Sequence, residues 1–331
     1  MSLRIIRAGV FDSLQDEGRY GWQHLGMNPG GSMDRFSSAL ANALLGKELN
    51  APVIEMHFPA SQLQFEKDTL ICICGADFTP LVNNQPIPLH HPVAIARNSE
   101  LKFTHVQSGS RAYLAVLNDL KISKWLNSYS TNIKASAGGW QGRTLSRDDR
   151  IQFENNIDVA SVLQKKDIAV LPWKSRETVD YRNEIEFLIG SEWHWLDPES
   201  QEIFQNSWYQ ISNEADRMGY HMAGNKLDRT NDEQLVSSAV SYGTVQLLPN
   251  GQLIILMADH QTTGGYPRIA HIISAHLPIL AQKKPNDVVR FRMTGLETAE
   301  EKLMKQRKYL EQLRQACRFR MEEIGLVKRS R

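Results

Sequence analysis

Apolar runs in this chain are short and are cut at intervals by turn residues, and that punctuation limits what it can build. Thr244-Val245-Gln246-Leu247-Leu248 and Leu253-Ile254-Ile255-Leu256-Met257 flank Asn250-Gly251, a dipeptide suited to the positive backbone angles of a tight hairpin. Asn83-Asn84 plays the same part between Leu81-Val82 and Ile87. Residues 70–74 form one apolar run, 101–106 alternate, Ser108-Gly109-Ser110 reads as a break, and 112–117 resume. Residues 288–293 are a further strand. The pattern predicts a mainly β protein, antiparallel, built as barrels or sandwiches with minor α structure.

Two helices are expected inside this pattern. Residues 34–45 carry Phe36, Leu40 and Leu44 at helical spacing and stop at Gly46. Residues 268–280 place Ile269, Ile272, Ile273 and Leu277 on one face, with Pro278 ending the helix early. A third helix closes the chain: Leu296, Ala299, Leu303, Leu310, Leu313 and Cys317 recur at intervals of three and four among charged residues. The last residues, Lys328-Arg329-Ser330-Arg331, read as a solvated tail. A polar, proline-bearing stretch from Val170 to Asp180 marks a boundary. The expected division is 1–170, 171–295 and a helical segment 296–331.

With 331 residues, 41% hydrophobic, 23% charged and a formal net charge of +1, the composition is that of an ordinary globular protein. Such a charge gives no case for a nucleic-acid or membrane partner. No apolar run nears the ~20 residues that span a bilayer, and Met1-Ser2-Leu3-Arg4 opens no signal peptide, so a cytoplasmic protein is expected. Cys72 and Cys74 alternate on one strand and point to one face, where they read as reduced core thiols.

The chemistry-bearing residues concentrate after the apolar run 253–257. Ala258-Asp259-His260-Gln261-Thr262-Thr263-Gly264-Gly265-Tyr266-Pro267 packs an acid, an amide, two hydroxyls and two glycines into one strand exit. Glycines there let backbone N–H groups approach an anion, and Asp259 at the strand end suits proton acceptance or substrate orientation. Ser212-Asn213-Glu214-Ala215-Asp216-Arg217-Met218-Gly219 offers Arg217, whose planar fork fits a carboxylate or phosphate. Ser13-Leu14-Gln15-Asp16-Glu17-Gly18-Arg19 adds acids and a base, followed by Gln23-His24-Leu25-Gly26 and Gly31-Ser32-Met33-Asp34. There is no phosphate-loop motif, no H-E-x-x-H and no metal-spaced Cys/His set, so no metal ligands are assigned.

These blocks, with the run Gln282 to Phe291, come in the order seen in the allophanate-hydrolase subunit 2 family, also called the biotin-dependent carboxyltransferase family, which the chain resembles over about residues 4 to 292. The family pattern A-D-R-Q-T-T-G-G-Y-P is matched here except at His260, which stands in place of arginine, and Asn286 stands where glycine is usual. The resemblance implies two cyclophilin-like β-barrel domains. It implies one subunit of an ATP-dependent 5-oxoprolinase, acting with companion subunits B and A to convert 5-oxo-L-proline, ATP and water to L-glutamate, ADP and phosphate. Mg²⁺ would accompany the ATP. Asp259 and Arg217 would be catalytic. Gln261, Thr262, Thr263, Gly264, Gly265, Tyr266, Arg268, Gln15, Asp16, Arg19, Ser32 and Asp34 would bind substrate or nucleotide. Two other activities are open to such a chain: a carboxyltransferase component using biotin on another protein, and a regulator that binds a kinase inhibitor.

Overall fold

A computed structural model describes residues 2–176, 178–179, 182–230 and 233–327. The tail from Lys328 and part of the predicted boundary stretch (Glu177 and Asp180) lie outside them. The chain divides into two compact units, each assembled from separated segments: Met1–Gly18, Asp34–Val179 and Arg307–Arg331 form the first, Arg19–Met33 and Asp180–Gln306 the second.

The first unit contains strands β1 (Ser2–Arg7), β2 (Ser13–Gln15), β3 (Val53–Met56), β4 (Gln62–Phe65), β5 (Thr69–Asp77), β6 (Pro80–Val82), β7 (Gln85–Pro86), β8 (Val93–Ile95), β9 (Glu100–Phe103), β10 (Ser108–Val116), β11 (Arg150–Gln152) and β12 (Ile168–Val170), with helices α1 (Arg35–Leu44) and α2 (Ala160–Leu163). They form two six-stranded sheets, β11-β1-β4-β9-β6-β7 and β12-β8-β5-β10-β3-β2. Alternation along the strands sends Leu3, Ile5, Leu63, Phe65 and Leu101 of one sheet and Ile54, Ile71, Ile73 and Leu114 of the other into a shared core. The turn at Asn83-Asn84 joins β6 to β7, and both asparagines have positive φ, as the hairpin requires. Ser108-Gly109-Ser110 does not break a strand. It lies inside β10, where Gly109 at φ 76° and a register shift mark a bulge, and residues 104–107 make the connection instead.

Helix α1 forms where the spacing predicts. Asp34 caps it by accepting the Ser37 N–H at 2.8 Å, and Gly46 at φ 61° follows its last turn. Nearly all of α1 is buried, with β3, β5 and β10 packed against it. A Cβ on Gly46 would stand 2.8 Å from the Arg318 Cα, so the close approach excludes any larger residue. Cys72 and Cys74 sit on the α1 side of β5 as free thiols, their sulfurs 3.9 Å apart.

The second unit contains β13 (Glu184–Ile189), α3 (Pro198–Asn206), β14 (Trp208–Ile211), β15 (Gly219–Ala223), β16 (Ser238–Ala239), β17 (Thr244–Leu247), β18 (Leu253–Leu256), β19 (Thr263–Gly264), β20 (Arg268–Ile272), α4 (Leu277–Ala281) and β21 (Val288–Met293). Seven strands close a barrel in the order β13-β20-β17-β18-β15-β14-β21, and β16 pairs with β19 as a separate ribbon. Every pair is antiparallel except β13 with β21. Phe204 of α3 fills the barrel, stacking on Phe291 at 4.8 Å and meeting Phe187 edge-on at 5.0 Å.

The helix expected over 268–280 is a correction. Residues 268–272 are strand β20, paired with β13 and β17, and only 277–281 are α-helical. β-Branched isoleucines satisfy a barrel strand buried on both faces as well as a helix face, and strand pairing decides between them. Pro278 lies in the first turn of α4 and starts that helix rather than ending one. The C-terminal helix α5 (Leu296–Glu323) forms as expected. Its first turns are tied to the barrel by Lys302 on Glu186 and by Gln306 Nε2 donating to the Ala275 carbonyl at 3.0 Å.

Candidate functional site

The polar cluster of the second unit is built on the paired strands β15 and β18. Their ladder extends past the strand ends: the Met257 N–H donates to the Met218 carbonyl at 2.9 Å and the Asp259 N–H to the Arg217 carbonyl at 2.7 Å. This pairing brings Arg217 and Asp259 side by side at the barrel mouth. The Asp216 carboxylate accepts the N–H groups of Met218 at 2.7 Å and Gly219 at 3.0 Å, fixing the backbone that carries Arg217. Arg217 reaches a carboxylate distant in sequence. Its Nε donates to Asp259 Oδ2 at 2.8 Å and its Nη2 to Oδ1 at 3.1 Å, a two-pronged contact that holds the guanidinium plane.

The segment 19–33 completes the cluster. Arg217 Nη2 also donates to the Gly31 carbonyl at 2.7 Å, and Asn28 Nδ2 donates to the Asp259 carbonyl at 3.0 Å. The Arg19 N–H donates to the Pro29 carbonyl at 2.7 Å, and the Tyr242 hydroxyl to the Met33 carbonyl at 2.7 Å. Gly30 and Gly31 have φ of 61° and 94°. A Cβ on Gly30 would lie 2.8 Å from Arg19 Nη1 and 3.5 Å from Asp259 Oδ1, so only glycine lets the loop settle between the two side chains. Arg19 is fully buried, as is Ser32, whose hydroxyl has no hydrogen-bond partner among the described residues. One-fifth of the Asp259 side chain remains exposed. The arrangement can hold an anion or a polar planar group against a fixed guanidinium and a carboxylate.

The remainder of the strand-exit motif is placed differently. Thr263 and Gly264 form β19, opposite Ala239 and Ser238, and the Val240 N–H donates to the Thr262 carbonyl at 3.1 Å. Gln261, Thr263, Gly265 and Tyr266 are exposed, Thr262 half-buried and Gly264 buried. Arg268 is engaged by Glu192, with Nε on Oε2 at 2.8 Å and Nη2 on Oε1 at 2.6 Å. Burial pushes the Glu192 carboxyl up, and the bonds from Arg268 more than reverse this, leaving it below its ordinary value. His260 is buried, with its Nδ1 against the Gln261 carbonyl, and adds to the burial that lowers the neighbouring His271.

Gln15, Asp16 and Asp34 belong to the first unit. Asp16 sits in a cage of neutral donors: the Gly18 and Tyr129 N–H groups at 2.8 and 2.7 Å, and the Ser128 and Ser130 hydroxyls at 2.7 and 2.5 Å. Gln15 Nε2 donates to Ser13 Oγ at 2.9 Å, and Asp34 is the α1 cap. Asn28, Glu192 and Tyr242 are absent from the sequence-based set. Asn28-Pro29-Gly30-Gly31 is a turn signal that points to the first, whereas nothing local marks Glu192 or Tyr242. Among the described residues no group of three or more His, Cys, Asp or Glu converges as metal ligands do, and no helix is long and apolar enough to cross a membrane.

Comparison with known proteins gives this geometry its relatives. The chain is 34% identical over 311 residues to the C subunit of 5-oxoprolinase from Escherichia coli strain K12, covering 94% of this chain and 97% of that one. It is 32% identical to the Haemophilus influenzae protein of the same name, covering 91% and 94%. Urea amidolyase of Saccharomyces cerevisiae is 28% identical over 90% of this chain, which corresponds to only 17% of that longer protein. The crystal structure of Kluyveromyces lactis urea amidolyase shares the fold with a TM-score of 0.84 at 22% identity, over 94% of this chain and 20% of that one. The model of the family described as carboxyltransferase domain, subdomain A and B, matches residues 25–293. The chain belongs to that carboxyltransferase domain family.

Proposed function

We infer that the chain is a subunit of an ATP-dependent 5-oxoprolinase, working with companion subunits B and A, and that the Arg217–Asp259 cluster is its part of the active site. The observation that carries this reading is the fixed guanidinium–carboxylate pair beside a positive-φ glycine pair, in a chain that matches relatives named as the C subunit of 5-oxoprolinase along almost their whole length. A five-membered lactam is a stable amide. Opening it near neutral pH needs the amide oxygen turned into a leaving group, which phosphorylation achieves. The protein's share of such a step is positioning and charge neutralisation.

Each residue has a part suited to that share. Arg217, held flat by Asp259 and the Gly31 carbonyl, orients the substrate carboxylate or a phosphate oxygen. Asp259, its side chain one-fifth exposed, orients the attacking water. Thr262, Thr263 and Gly265, in and beside the ribbon, are assigned to ligand binding through their hydroxyls and backbone N–H groups. Buried Arg19, close against Gly30, adds positive charge that supports an anionic ligand such as a nucleotide. Magnesium would arrive with the phosphates, held mainly by them and by water, with Asp259 as the nearby carboxylate.

The test is reconstitution with the companion subunits and measurement of glutamate and ADP formed from 5-oxo-L-proline. Arg217→Ala and Thr263→Ala are expected to cut turnover, the first by about 100-fold or more. Full activity in both variants sinks the assignment of the site. The likeness to urea amidolyase favours a second reading, carboxyl transfer from biotin carried on another protein. Biotin-dependent carboxylation of urea, with no glutamate formed, decides for it.

A further inference from the structure

Gln246 of β17 lies beneath the β16–β19 ribbon, 1% exposed. Its Nε2 donates to the Tyr266 carbonyl at 3.4 Å, and a Cβ on Gly264 would stand 2.5 Å from that nitrogen. The absent side chain at 264 is thus what admits the amide. Gln246 Oε1 is buried and has no hydrogen-bond partner among the described residues, and the same holds for Ser238 Oγ. Ser238 stands directly opposite Gly264 across the ribbon. Opposed residues of an antiparallel pair project to the same side, and the Gly264 side faces Gln246 and Val240. The hydroxyl and the amide oxygen therefore share the underside of the ribbon.

A buried polar atom left without a partner is costly, and each calls for a bonding group such as a ligand or an ordered water. Here there are two of complementary kinds: a carbonyl oxygen that accepts only and a hydroxyl that can donate. Together they match the edge of a cis-amide, which presents an N–H next to a C=O. Lactams and cyclic ureas carry that edge.

We propose that Gln246 Oε1 and Ser238 Oγ form a seat for the cis-amide edge of the substrate, Oε1 accepting from its N–H and Oγ donating to its carbonyl. The seat opens when the ribbon lifts. Among the described residues, lifting parts the bonds from Arg268 Nη1 to the Ala239 carbonyl at 3.2 Å and from Gln246 Nε2 to the Tyr266 carbonyl at 3.4 Å, while the Ser238–Gly264 and Ala239–Thr263 pairs move with the ribbon. This deepens the functional reading above, resting on it for the identity of the substrate but not for the chemistry of the seat.

The experiment titrates 2-pyrrolidinone and N-methyl-2-pyrrolidinone, which lacks the N–H, into the full chain, with binding followed by NMR. The unmethylated lactam is expected to bind about tenfold more tightly or better, since a site built to pair an N–H rejects an analogue without it. Gln246→Leu and Ser238→Ala are expected to shrink that ratio toward one, and Ser238→Ala is small enough to leave the fold intact. Equal binding of both lactams to the wild-type chain overturns the seat, as does a ratio that survives in Ser238→Ala. Either result assigns the two atoms to an ordered water alone. A preserved ratio in a wild-type complex that forms no glutamate from 5-oxo-L-proline sinks the functional reading and leaves the seat standing.

Discussion

Asp12 and Asp16 of the first unit and Asp259, Glu192 and Glu186 of the second are satisfied in different ways, although Asp149 of the first unit also faces an arginine, Arg143. In the first, Asp16 and Asp12 are closed by neutral donors: Asp16 by two N–H groups and two hydroxyls, Asp12 by the N–H groups of His57 and Ser61 at 3.0 and 2.7 Å. In the second, Asp259, Glu192 and Glu186 each face an arginine, and Glu186 a lysine as well. A cage of neutral donors is complete in itself, and it knits segments far apart in sequence into one scaffold. A carboxylate paired with a guanidinium makes a site that can answer to charge, because an arriving anion competes for the same cation. The difference gives the first set the character of scaffolding and leaves the pair at the barrel mouth open to an arriving anion.

The most damaging way to break this contrast is Asp16→Ala. It strands the Gly18 and Tyr129 N–H groups and both serine hydroxyls, and a loss of about 3 kcal/mol or more is expected in denaturant unfolding. An unchanged midpoint would show the cage to be ornamental. Next is Arg217→Lys, which keeps the charge and removes the fork. A stability loss of about 1–2 kcal/mol is expected, with turnover of the reconstituted complex falling further than stability does. Equal stability and activity to wild type would deny the pair its special place.

Acid titration sharpens the comparison through two groups with opposite slopes. Burial pushes Asp12 up to about 6, against an ordinary value near 3.8, so the native state holds its proton where the unfolded chain has lost it. That contribution to stability falls as pH rises from about 4 to 6. Burial pushes His276 down to about 4, so between pH 6.5 and 4 the unfolded chain binds a proton that the native state refuses. That contribution is lost as pH falls through the same range. Asp12→Asn should therefore steepen the acid loss of stability, and His276→Gln should flatten it. Identical pH profiles for all three proteins would count against both burials. The smallest effect is expected from Lys302→Met. One-third of this side chain is exposed, so its tie to Glu186 is worth less than about 1 kcal/mol in a thermal melt.

What the sequence shows of all this depends on how local each cause is. Helix α1 is legible because its cap, spacing and stop lie within thirteen residues, from Asp34 to Gly46. The hairpins at Asn83-Asn84 and Asn250-Gly251 are legible for the same reason. Strand β20 is misread as helix because Ile269, Ile272 and Ile273 fit both periods, and pairing with β13 and β17 decides between them. Helix α3 escapes notice although Asp197-Pro198 is a start signal, since only Ile203 and Phe204 give it an apolar face. Within the site, Arg217 and Asp259 stand out by motif. Their mutual contact, and the choice of Glu192 for Arg268, follow from ladder register and cannot be found by spacing.

The interleaving of the units has a consequence for dissection. A cut between residues 179 and 180 yields no self-sufficient half. The piece from 180 onward lacks the Gly31 carbonyl that steadies Arg217 and the Met33 carbonyl that receives the Tyr242 hydroxyl. The piece before it lacks the helix end that presses on Gly46. Recombination at that junction therefore swaps neither half cleanly, and the two lobes are heritable only as a pair.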